Sequence, residues 1–105
     1  FFGMQKIPPF SAYMSIENYS EKCSHCHIGT TYAKNSFVLA NTLEDYLSLQ
    51  KRDINVALIN WHDEIGSLGE VADDLHKRYF CVETGYEDEP ARNAIMDAIF
   101  ETLSY

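Results

Sequence analysis

Apolar positions along this chain recur at three-and-four spacing over most of its length, which is the signature of helices with one buried face. Tyr13, Met14, Ile16, Tyr19, Cys23 and Cys26 follow that spacing, with Glu17, Asn18, Glu21 and Lys22 between them, and predict a helix over 11–27. Ahead of it, Pro8-Pro9 fixes an extended lead-in over 1–10, because proline locks its own backbone and drives the preceding residue out of the helical region. Residues 28–40 hold Gly29 and two threonines with no clean period, and predict a loop with a short extended piece at 36–39. Asn41 followed by Glu44 resembles a capping box, so a short helix is expected over 42–50.

Ile54, Ala57, Leu58, Trp61, Ile65 and Leu68 repeat at helical spacing, and Gly66 and Gly69 mark an end. Ile54, Val56 and Leu58 alone alternate like a strand, but the longer period extends further and favours a helix. Val71, Ala72, Leu75, His76, Tyr79 and Phe80 predict another helix, which must stop before Gly85. Glu87, Asp88 and Glu89 then precede Pro90, placing carboxylates at the positive end of a last helix. Ala91, Ala94, Ile95, Ala98, Ile99 and Leu103 form its stripe, widened by Met96 and Phe100. The expected architecture is all-α: four to five helices in one domain over 1–105, without internal repeats.

Composition agrees with one modest core: 105 residues, 46% hydrophobic and 23% charged. The net charge of −8 repels phosphate backbones and anionic lipid, so nucleic acid is not expected as a partner and a basic protein is. The longest apolar runs, at 37–40 and 56–59, are far too short for a membrane span. A first residue of Phe1 fits export with signal removal as well as a start inside a longer frame. Three cysteines are an odd number, and two of them stand three residues apart, which does not suggest a disulfide framework.

Those two lie in Cys23-Ser24-His25-Cys26-His27, which fits the Cys-x-x-Cys-His pattern of covalent haem attachment. On a helical turn Cys23 and Cys26 share a face, so each sulfur can form a thioether with one porphyrin, and His27 can reach the iron. A zinc half-site completed by two later ligands is one alternative reading, and a silent pair of buried thiols is another. No second Cys-x-x-Cys is present to complete a zinc site.

With this pentapeptide at the end of an amphipathic helix, a capped middle helix at 42–47 and a final helix containing Phe100, the chain resembles class I c-type cytochromes. The resemblance covers most of the chain in outline, although only the pentapeptide is specific. It implies a small helical fold around one covalent haem c, with His27 as proximal iron ligand. Members normally supply a distal methionine before the last helix, and here Tyr79-Phe80-Cys81-Val82 offers Cys81 instead. The chain is thereby similar to the His/Cys-ligated minority of small dimeric c-type cytochromes. His76, Met96, His62 and Met14 are rival ligands, Trp61 is placed at the porphyrin edge, and His25 is expected to be exposed.

The resemblance further implies a periplasmic or otherwise exported protein, and with no glycine-rich phosphate loop and no serine in a local His and Asp context an enzyme is not expected. Its haem would have a low potential and serve electron transfer to a redox partner, or the binding and sensing of CO or NO; a homo- or heterodimer is compatible with exposed apolar residues near the N-terminus. The runner-up is a small acidic protein-binding module of the inhibitor or immunity type, with Cys23 and Cys26 in a zinc site.

Overall fold

A computed structural model describes residues 2–7, 15–20, 23–59, 68–85 and 88–104. In chain order these form strand β1 (Phe2–Ile7), a 3-10 turn (Ile16–Tyr19), β2 (Cys23–His27), β3 (Phe37–Ala40), helix α1 (Leu43–Lys51), β4 (Val56–Ile59), α2 (Leu68–Asp74), β5 (Phe80–Gly85) and α3 (Glu89–Leu103). The strands make one mixed sheet in the order β1-β5-β3-β4-β2. β1 runs parallel to β5 and β3 parallel to β4, whereas β3 is antiparallel to β5 and β2 antiparallel to β4.

The fold is therefore α/β, and the all-α expectation is corrected. The physical reason is visible in β3, whose Phe-Val-Leu-Ala run is buried at every position. A strand covered on both faces needs no polar alternation, so it carries no period of two to set against a helical one. Val56-Ala57-Leu58-Ile59 pairs on both sides, with β3 and β2, and is strand instead of helix. The segment read as helix up to Phe80 divides into the seven-residue α2 and the start of β5.

Helices cover both faces. Val38, Ala40, Val56, Phe80 and Val82 pack against Tyr46 and Leu49 of α1 and against Ile95, Ala98 and Ile99 of α3. Phe37, Leu39, Ala57 and Ile59 face the other way, against Ile16, Tyr19 and Ala72. Two helix starts match their sequence signals closely. Asp88 caps α3 by accepting from Ala91 N, with Pro90 in the first turn, and α1 begins within a residue or two of its predicted position. Thr42, not Asn41, is the cap of α1. Asn41 instead accepts from Tyr79 N at 2.8 Å and donates to Asp73 and to the Lys77 carbonyl, fastening the approach to β5. Among the described residues no helix is long and apolar enough to cross a membrane.

Candidate functional site

The cysteine pair lies on β2, the last strand at one side of the sheet. In a regular strand, residues three apart point to opposite faces. Here the register jumps: Cys23 stands opposite Ile59, His25 opposite Leu58, Cys26 opposite Ala57 and His27 opposite Val56, with an irregularity between Cys23 and His25. Three steps of β2 thus span two steps of β4, as in a β-bulge, and the extra residue rotates Cys23 onto the face of Cys26. Both thiols pack, half-buried, against the cluster containing Ile16, Phe37 and Leu39.

Two steps of a strand place the Cys23 and Cys26 Cα atoms about 6.4–6.8 Å apart, within the upper end of the roughly 4.4–6.8 Å that a disulfide joins. Burial first, then the neighbouring Cys23, pushes the Cys26 thiol up to about 11. Cys23 Sγ also donates to the Ser20 carbonyl at 3.7 Å. Cys26 accordingly keeps its proton through the neutral range, and the pair is present as free thiols.

His25 and His27 face the opposite side. The His25 ring centroid is 5.5 Å from that of Tyr46, and His25 is exposed, as expected from the sequence. His27 Nε2 donates to Asp53 Oδ1 at 3.0 Å. Asp53, in the left-handed region at φ 56°, also accepts from the Thr31 hydroxyl at 2.6 Å and from the Thr30 and Thr31 amides at 3.0 Å each. These bonds, the Thr31 hydroxyl's foremost and then His27's, hold its carboxyl well below the usual carboxylate range. His27 is thereby built into the clamp that ties the end of β2 to the start of β4.

Cys81 lies on the thiol face but across the sheet. Cys26, Ala57, Leu39 and Cys81 pair in one row through β2, β4, β3 and β5, so three interstrand spacings separate the two cysteines by about 14 Å. Burial, followed by the nearby Glu83, pushes the Cys81 thiol up to about 11, while the Tyr79 hydroxyl donates to it. Glu83 is itself buried, its carboxyl is pushed up to about 7 by desolvation, and Oε2 has no hydrogen-bond partner among the described residues.

The structure thus brings Cys23 and Cys26 together, and brings neither His27 nor Cys81 to them. His76 is exposed in the turn after α2 at φ 55°, and Met96 packs against the cluster on the other face. Met14, Trp61 and His62 lie outside the described residues. A porphyrin linked to both thiols on one face of a strand would find His27 on the other face. Among the described residues no three His, Cys, Asp or Glu side chains converge to hold a metal ion. The helical turn on which the haem reading rested is corrected to a bulged strand, and neither haem nor metal binding finds a supporting group among the described residues.

A separate crevice of about 700 Å³ at the start of α1 is lined by Thr42, Asp45, Ser48, Arg78 and Thr102 among others. Its most conspicuous group is the Arg78 guanidinium, which forms a two-pronged pair with the buried Asp45 carboxylate, a bond serving the fold.

Two features escaped the sequence reading. The bulge has no residue-type signal in Cys-Ser-His, and Asp53 at the end of α1 reads as an ordinary turn residue. No protein-family model, curated protein or solved structure matches this chain.

Proposed function

We propose that Cys23 and Cys26 form a reversible dithiol/disulfide couple, through which the chain exchanges two electrons with a disulfide of a partner protein. The observation that supports this reading is the bulge in β2, which turns two cysteines three residues apart onto one face, both half-buried against the same cluster at the rim of the sheet. Bulges recur where a side chain must be re-aimed. A pair of silent core thiols would need no shared orientation.

The reaction balances as thiol–disulfide exchange. Cys23 attacks one sulfur of the partner's disulfide, a mixed disulfide forms, and the other partner sulfur leaves and takes a proton. Cys26 then loses its proton, attacks Cys23 Sγ, and releases the second partner sulfur. The partner is reduced to its dithiol, and this chain holds the Cys23–Cys26 disulfide. Cys26 is protonated at rest, which assigns the first attack to Cys23. Burial holds the Cys26 thiol protonated, so no thiolate at that position stabilises the reduced form, and the couple acts as a reductant. The net charge of −8 favours a basic partner. Electron transfer, expected above from a haem, is here the work of two sulfurs.

The test is mass spectrometry after equilibration in glutathione buffers, acid quenching and alkylation. The expected product has lost two hydrogens, carries a Cys23–Cys26 bond and has Cys81 alkylated. Separate glutathione adducts on Cys23 and Cys26, with no bond between them, would overturn the reading.

A further inference from the structure

β2 ends the sheet, and among the described residues no strand pairs with its outer side. The outer side of such a strand presents unpaired N–H and C=O groups, a template onto which a further extended segment adds. What sets this edge apart is the thiol it carries. Residues directly opposite each other in antiparallel strands have Cα atoms about 4.5–5.5 Å apart, and a disulfide joins Cα atoms about 4.4–6.8 Å apart. A cysteine in a segment paired along β2, directly opposite Cys23, therefore stands at disulfide distance without movement of either backbone. Cys26 is the next position on the same face, placed to attack the bond once formed. Ser24, between them, is small and donates back to the Leu58 carbonyl at 3.4 Å, away from the outer edge.

We infer that the outer edge of β2 is the docking line for an extended, cysteine-bearing segment of a partner protein, which joins the sheet as a further strand and presents its disulfide to Cys23. The inference rests on the dithiol reading above and adds the form in which the partner is recognised. Cys23 bonds to the cysteine opposite it, that cysteine's former partner sulfur leaves with a proton, and Cys26 completes the exchange as already described. The negative chain selects for lysine and arginine in the segment.

The probe is a short peptide alternating lysine with threonine or valine around a central cysteine, activated as its mixed disulfide with thionitrobenzoate. Two further versions carry N-methyl groups on alternate backbone amides, one on the odd set and one on the even set. An added strand turns only one set toward β2. On attack by Cys23 of the reduced chain, the unmodified peptide and one methylated version should lose thionitrobenzoate roughly tenfold faster than the other version, the gain expected of one or two net backbone hydrogen bonds. In Cys26→Ser the mixed disulfide should persist, with slowed amide exchange along β2. Equal rates for all three peptides, in the unsubstituted chain and in Cys26→Ser, would overturn the inference. If glutathione disulfide still closes the Cys23–Cys26 bond in that case, strand docking alone falls. If it does not, the dithiol reading falls and the docking inference with it.

Discussion

Replacing Gly29 with alanine should unfasten the far end of β2. A Cβ on Gly29 would stand 2.7 Å from the Asp53 main-chain oxygen and nearer still to the Asp53 carboxylate. Restoring ordinary contact above 3.4 Å requires the two segments to part by about 0.7 Å. At that point the 2.8 Å bond from Gly29 N to Asn55 Oδ1 and the 3.0 Å bond from His27 to Asp53 are stretched beyond hydrogen-bond range. Overpacking of this kind costs about 1–3 kcal/mol, and a lost bond to the buried Asn55 adds about 1 kcal/mol. At roughly 4–8 °C per kcal/mol for a chain of this size, the melting temperature should fall by about 8–32 °C. Gly85→Ala is the matched control, because the atoms nearest its Cβ belong to the Asn35 side-chain amide, the closest at 2.9 Å. That side chain can move, and the cost should stay under about 1 kcal/mol. Thermal unfolding followed by circular dichroism reads both. A Gly29→Ala melting temperature within a few degrees of the unsubstituted chain would refute the clamp around Asp53.

Three further outcomes follow. The Glu83 carboxyl, pushed up from its ordinary 4.5 to about 7, keeps its proton in the folded chain while the unfolded chain releases one, so stability should fall as pH rises from about 4.5 to about 7; urea titrations across that range should show the slope, and Glu83→Gln should remove it. Ile99→Ala, at a fully buried position, should cost about 2–5 kcal/mol in urea unfolding, whereas Phe100→Ala, one residue on and 59% exposed, should stay within about 0.5 kcal/mol. Chain produced alongside bacterial haem-attachment machinery should give no pyridine haemochrome band, since thiols and His27 lie on opposite faces of β2; a covalent haem would contradict that placement.

Legibility in the sequence follows how local each signal is. The start of α3 was readable because Asp88, Glu89 and Pro90 act within one turn. The strands were not, because β3 is buried on both faces and reads as an undifferentiated apolar run. Val56 and Leu58 did alternate, yet apolar residues further along extended a helical period past them; what decides for strand is pairing with β2 and β3, contacts distant in sequence. The site divides in the same way. Cysteine spacing drew attention to Cys23 and Cys26 as a pair, but the spacing that shares a face on a helix shares one on a strand only through a bulge. His27 and Cys81 stand on different strands and opposite faces, which no local pattern signals because face and strand order are properties of the sheet.

The most direct test of the dithiol account is a redox titration of the purified chain, following the Cys23–Cys26 bond by quantitative alkylation against buffer potential. The account predicts one transition with the two-electron slope of about 30 mV per tenfold change, centred below about −220 mV, while Cys81 stays alkylatable throughout. Independent modification of Cys23 and Cys26, with no potential at which they bond to each other, would contradict it.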